Sequence, residues 1–204
     1  MKRSTANSSI GDEAEDLAQL WGTRAGFVVH PVRRDRCGWD HLFEMRLPRK
    51  PRRSNLPDRP TRAFTCRIQV KGIGAHRRSI PIKLTNWMQA IDDPLPWFFL
   101  VVRFHVNSTR EVLLAHVDKA QVTRVLQRLA MTSNSPVAPP HKRTLALRLS
   151  DGTILPSPVD QALLNAIART LGPDAFAYAK AKRAWSRSVS RLCHPPAQRH
   201  REVS

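Results

Sequence analysis

Residues 64–71 read Phe64-Thr65-Cys66-Arg67-Ile68-Gln69-Val70-Lys71, an unbroken alternation. Side chains of an extended chain point to opposite faces with a period of two. Phe64, Cys66, Ile68 and Val70 therefore share one side, and Thr65, Arg67, Gln69 and Lys71 the other. A segment apolar on one side and polar on the other is a strand with one face on a core. Gln69 and Lys71 then project together from the polar face.

Upstream, Asp40 to Leu47 alternates as well, with His41, Phe43, Met45 and Leu47 on one face and Asp40, Leu42, Glu44 and Arg46 on the other. Between the two strands, residues 46–62 hold seven Arg or Lys, four Pro and one acid, Asp58. Such a segment has no periodicity to pack and reads as an extended basic loop. If the two strands pair across it, Asp40 and the Gln69/Lys71 pair can converge.

Further toward the N-terminus, Ile10, Ala14, Leu17, Ala18 and Trp21 recur at helical spacing, with Ser9 and Asp12 as an S-x-x-D cap. Glu15 sits at the edge of that apolar stripe. Phe27-Val28-Val29 reads as a strand or its approach.

Downstream of Lys71, Gly72-Ile73-Gly74 reads as a bend and Ile80 to Leu84 as a third member of the hairpin. A short helix is expected from Thr85 to Ile91, stopped by Asp92-Asp93-Pro94. Phe98 to Phe104 is apolar enough for a central strand buried on both faces. Val112 to Val117 is a further strand, and Lys119 to Leu129 a helix. After 132–143, Thr144 to Leu149 alternates as a strand and Asp151-Gly152 reads as a hairpin turn. Ser157-Pro158-Val159 opens a helix with Pro at its first position, and a second helix is expected from Asp174 to Trp185.

The expected organisation is a flexible tail (1–9), an α/β core (10–131) carrying the basic loop 46–62, a linker (132–143), a strand with C-terminal helices (144–186) and a basic tail (187–204).

Composition sets the partner class. The 204 residues carry 34 Lys+Arg against 16 Asp+Glu, a formal net charge of +18. A chain this basic repels itself when compact and is normally held near a polyanion, nucleic acid first. At 41% hydrophobic it has the means to build a core, which excludes a wholly disordered chain. The longest apolar run, Trp97 to Val102, is far short of the roughly 20 residues of a membrane helix. The first residues lack the apolar stretch of a secretory signal, so no membrane association and a cytoplasmic location are expected. Cys37, Cys66 and Cys193 form no CxxC pair and read as ordinary thiols.

Within this basic chain, seven of the 16 carboxylates fall between Asp12 and Glu44. A divalent cation held by acids inside a basic surround suits an enzyme acting on a polyanion. The blander account, acids placed for the helix dipole, covers Asp12 and Glu13 and leaves Asp40 unexplained. Glu44 reads as a surface residue.

Three pieces carry a resemblance: Gly11-x-x-x-Glu15 on the opening helix, Gly38-Trp39-Asp40 after a strand, and Ile68-Gln69-Val70-Lys71 on a later one. In this order the chain resembles the PD-(D/E)XK nuclease superfamily, in particular Mrr-type restriction endonucleases and archaeal Holliday-junction resolvases. It is most similar to the domain-of-unknown-function family 4365, whose Trp-bearing helix and Pro-led apolar strand are echoed by Asn86-Trp87 and Pro96-Trp97-Phe98-Phe99. The resemblance covers residues 10–120.

It implies a restriction-endonuclease-like three-layer core, a central mixed β-sheet flanked by helices, with a C-terminal helical extension. It also implies Mg²⁺- or Mn²⁺-dependent hydrolysis of DNA phosphodiesters, in defence, restriction or repair. Asp40 would ligate the metal directly and Glu15 directly or through water. The Val70 carbonyl and the Gln69 side-chain oxygen would complete an oxygen shell. Lys71 would position the attacking water and stabilise charge on the phosphate. Many relatives carry a carboxylate where this chain has Gln69, so one negative charge is missing.

Arg46, Arg49, Lys50, Arg52, Arg53, Arg59 and Arg62, with Arg77 and Arg78, form the expected phosphate-tracking surface. The C-terminal helices are expected to add DNA contacts, or to join a second copy or a partner protein. A competing reading keeps the nucleic-acid binding and discards the chemistry, as a non-catalytic protein on a decayed nuclease scaffold.

Overall fold

A computed structural model describes residues 4–32, 38–46, 63–107, 109–133, 142–172 and 174–193. Its elements run α1 (Ser4–Arg24), β1 (Val28–Pro31), β2 (His41–Arg46), β3 (Ala63–Gly74), β4 (Ser79–Lys83), α2 (Leu84–Asp92), β5 (Trp97–Phe104) and β6 (Arg110–His116). There follow α3 (Lys119–Ser133), β7 (Thr144–Arg148), a 3₁₀ turn (Leu149–Asp151), β8 (Thr153–Ile154), α4 (Val159–Leu171) and α5 (Ala175–Cys193).

Six strands form one mixed sheet in the order β1-β2-β3-β5-β6-β8. β1, β2 and β3 pair antiparallel, while β3 and β5 run parallel from Arg67↔Trp97 to Gly74↔Phe104. A parallel pair needs a crossover connection, and the segment carrying α2 supplies it.

Both faces of the sheet are buried, and the period of two in β5 sorts its side chains between them. Phe98, Leu100 and Val102 pack with Ala14 and Ala18 of α1 and Leu163 and Ile167 of α4. Trp97, Phe99 and Val101 pack with Trp87 and Ile91 of α2, Val122 and Val125 of α3, and the small β4–β7 sheet. This is the strand buried on both sides that its apolar run predicts. Cys66 lies fully inside the first cluster, as an ordinary core thiol.

Several local readings are corrected. The opening helix begins at Ser4, since nothing in Thr5-Ala6-Asn7-Ser8 breaks a helix, and Ser9 is an interior residue rather than a cap. Gly72-Ile73-Gly74 is the end of β3, not a bend. β4 does not extend the β2–β3 hairpin; it pairs with β7 in a separate two-stranded sheet. Asp151-Gly152 therefore joins no hairpin: β7 pairs with β4, and β8 with β6. Pro158 is the residue before α4 rather than its first. The last helix runs past Trp185 to Cys193.

The chain beyond residue 142 is woven into the same body. β7 and β8 each complete a sheet, and the Tyr178 hydroxyl of α5 meets His116 Nε2 of β6 at 2.6 Å. Burial drives the His116 pKa down to about 4, so the ring in this contact is neutral.

Lys182 of α5 is 1% exposed, and its ammonium donates to the Leu95 carbonyl at 2.6 Å. Burial lowers its pKa to about 8, with Asp93 opposing the shift and Arg67 adding to it. Above that value the native lysine has released a proton that the unfolded chain still binds, so its contribution to stability rises with pH. The stability of the wild type relative to Lys182→Met should climb by up to about 1.4 kcal/mol per pH unit above pH 8. Calorimetric melts of both proteins from pH 7 to 10 check this; parallel curves would refute it.

Candidate active site

The hairpin register settles where Asp40 lies. β2 and β3 pair from His41↔Ile68 to Arg46↔Ala63, so Asp40 sits just past the paired end. Its backbone N–H donates to the Ile68 carbonyl at 3.0 Å, and its carboxylate accepts the Val70 N–H at 2.6 Å. The N–H and C=O of a strand residue point the same way, so the Val70 carbonyl also faces the edge that β2 leaves open.

Gln69 and Lys71 project from the other side of β3 to Ile68 and Val70, as the alternation predicts. Asp40, Gln69 and Lys71 line one cavity of about 530 Å³, closed opposite by Pro81, Ile82 and Lys83 of β4 and Thr85, Asn86 and Gln89 of α2. Gln69 is 3% exposed, and its Oε1 has no hydrogen-bond partner among the described residues. A buried carbonyl oxygen without a donor is costly unless something outside the protein satisfies it.

Glu15 comes from α1, whose Ala14 and Ala18 are fully buried against the sheet. Its pKa is raised, first by partial burial and next by the negative charge of Asp40, while Lys71 pulls it back. Glu15 thus lies within electrostatic reach of both residues, although it does not line the cavity.

The wider run of acids disperses. Asp12, Glu13 and Asp16 are exposed on α1, and Glu13 pairs with Arg110 at 2.7 Å. Glu44 faces His30 at 3.6 Å on the β1–β2 edge. Among the described residues, no three His, Cys, Asp or Glu side chains form a metal-binding group.

Of the expected donors, Asp40 and Gln69 line the cavity together, Glu15 lies within electrostatic reach of Asp40, and the Val70 carbonyl faces the edge beside it; all four offer oxygen. This all-oxygen set suits Mg²⁺, which commonly takes one or two carboxylates and fills its remaining positions with water. The orphaned Gln69 Oε1 is the observation that favours the fit.

Arg46 stands at the far end of β2 from Asp40, about 20 Å away at the rise of an extended strand. The basic loop therefore leaves the hairpin at the end remote from the acids. Arg49, Lys50, Arg52, Arg53, Arg59 and Arg62 lie outside the described residues. Arg77 and Arg78 are exposed beyond the end of β3, with the Arg77 N–H bound to the Gly74 carbonyl at 3.2 Å.

Two features escape a reading of the sequence by motif. His41 is buried beside Asp40 and against the Glu15 stretch of α1; burial lowers its pKa against the pull of the Asp40 charge and of a backbone hydrogen bond at Glu15. Its place on the inward face of β2 was the available signal. Asn86 and Gln89 are three residues apart on α2 and so share a helix face, flanking the buried Trp87, Ala90 and Ile91.

No helix among the described residues is long and apolar enough to cross a membrane. Comparison with protein-family models, curated proteins and solved structures finds no match for this chain.

Proposed function

We propose that the protein is a divalent-metal-dependent nuclease of restriction-endonuclease-like, three-layer fold that hydrolyses phosphodiester bonds in DNA. The observation that carries the proposal is the shared cavity: Asp40, just before β2, lines one space with the buried Gln69 and Lys71 of β3. The order of elements in the main sheet supports it: α1, the antiparallel strands β1, β2 and β3, then, after β4 of the small sheet, α2 and β5 parallel to β3. The resemblance to PD-(D/E)XK nucleases calls for a mixed sheet flanked by helices, and this order is compatible with it.

Asp40, Glu15, the Gln69 oxygen and the Val70 carbonyl are the groups to hold Mg²⁺ or Mn²⁺. Bound there, the ion supplies charge neutralisation at the phosphate and a more acidic water. The Val70 N–H keeps the Asp40 carboxylate oriented from below. Lys71 places a positive charge in the same cavity, where it can orient the attacking water and stabilise the phosphorane-like transition state. The net charge of +18 draws in the polyanion, and Arg77 and Arg78 offer exposed phosphate contacts. A cytoplasmic setting and assembly with a second copy or partner protein belong to the same proposal.

A non-catalytic nucleic-acid-binding role on the same scaffold is the second reading. It is favoured by Gln69 at a position where a carboxylate would add charge, and by the lack of a three-acid cluster among the described residues. Incubating the protein with supercoiled, linear and branched DNA in Mg²⁺, Mn²⁺ or EDTA separates the two. Cutting is expected in either metal and not in EDTA. Tight binding without cutting on every substrate would select the second reading.

A further inference from the structure

The cavity is larger and more polar than a metal site alone requires. Opposite the acids, α2 presents Asn86 and Gln89, and its roll about the helix axis is fixed. The Trp87 indole N–H donates to the Leu145 carbonyl at 3.1 Å, with the ring fully buried. Gly38 marks how closely the amides are seated, because a Cβ there would lie 2.4 Å from Gln89 Oε1 and 3.1 Å from Asn86 Cγ. Its φ of +69° also favours glycine. The amides are therefore held against the same short segment that ends in Asp40.

Resting on the nuclease reading of this site, we propose that the cavity takes one unpaired nucleotide, its phosphate beside Asp40 and Lys71 and its base against Pro81 and the Asn86 and Gln89 amides.

Size and chemistry agree. At about 530 Å³ the space is in the range of small-ligand pockets, which suits one nucleotide and not two paired strands. Carboxamides present a donor and an acceptor side by side, the pattern that recognises the edge of a nucleobase. Enzymes that act on an unstacked nucleotide read it in this way, by hydrogen bonds to the edge and apolar contact to the face. Pro81 is exposed at the cavity wall and gives such a face, while Lys83 beside it adds a charge for a neighbouring phosphate. The substrate class that follows is single-stranded nucleic acid, or a strand with an unpaired position, rather than an intact duplex.

The test is binding in EDTA, where nothing is cut. Fluorescein-labelled DNA and RNA single strands are compared at one salt concentration with blunt duplexes of the same sequence. The wild type is expected to prefer a single strand over its duplex by roughly tenfold, and the DNA and RNA arms report which sugar it takes. Asn86→Ala/Gln89→Ala should remove most of that preference and leave duplex binding unchanged. Gln89→Ala alone, at an exposed position, should lower it in part in a protein whose melting is unaltered.

Equal affinity for duplex and single strand, or variants that lose both in proportion, would overturn the proposal. The same proteins in Mg²⁺ keep the two ideas apart. A preference for single strands without any cutting keeps the pocket and removes the nuclease. Cutting of duplexes without a preference removes the pocket and keeps the nuclease.

Discussion

Asp40→Ala is expected to lower metal-dependent cleavage by at least about a hundredfold, the scale seen when one preorganised charge-stabilising group is deleted from an active site. Nucleic-acid binding measured in parallel should be unchanged or slightly tighter, because the variant removes a negative charge from a surface that attracts phosphates. The two readouts must diverge for a specific reason. Asp40 is the residue whose carboxylate is tied to the Val70 N–H, next to the carbonyl that faces the same open edge. On the proposed reading, its loss would take away a charged metal ligand and the anchor of that edge together. Lys71→Ala should also lose cutting, and its binding should weaken modestly through the lost positive charge. Cutting that survives Asp40→Ala would mean that the chemistry lies elsewhere, whatever happens to binding.

Much of the candidate site's geometry is legible in the sequence because the relevant signals are local. The alternation of residues 64–71 fixes the side from which Gln69 and Lys71 project, and the apolar run at Phe98 identifies the strand that pairs beside them. Asp40 joins them because the Asp40–Leu47 and Phe64–Lys71 patterns pair as an antiparallel hairpin, the simplest arrangement for consecutive strands.

What stayed hidden is what local pattern does not encode. β4 and β7 are about sixty residues apart in the chain, and each is short; nothing in Ser79–Lys83 names Thr144–Arg148 as its partner. The mistaken hairpin at Asp151-Gly152 has the same origin, since a turn-forming dipeptide specifies a bend and not the strands beside it. The contributions of Asn86, Gln89 and Lys182 depend on which surface each helix meets, a property of packing rather than of spacing.

Gly72 is the position where sequence reasoning went wrong most instructively, and its replacement is expected to have the second large effect. In isolation a glycine after a strand signals a bend or a close approach, and the two cannot be told apart by pattern. In the structure Gly72 continues β3, paired in parallel with Val102, and α1 crosses directly over it. A Cβ at Gly72 would stand 2.2 Å from the Ile10 carbonyl oxygen and 2.8 Å from the Ile10 carbonyl carbon. Backbone cannot swing aside as a side-chain end can, so Gly72→Ala must displace the first half of α1.

Overpacking of this kind costs about 1–3 kcal/mol. The cost should also reach the site, because Glu15 follows Ile10 by about one and a half helical turns and moves with it. Reduced stability in urea and weakened Mg²⁺ dependence are therefore expected together. Gly74→Ala is the control on the same strand face, with nothing among the described residues within 4 Å of its added Cβ, and should stay within about 0.5 kcal/mol of wild type. Equal effects at the two glycines would show that strand propensity, and not the contact with α1, governs Gly72. A loss confined to Gly72 would tie the seating of α1 to the geometry of the acids.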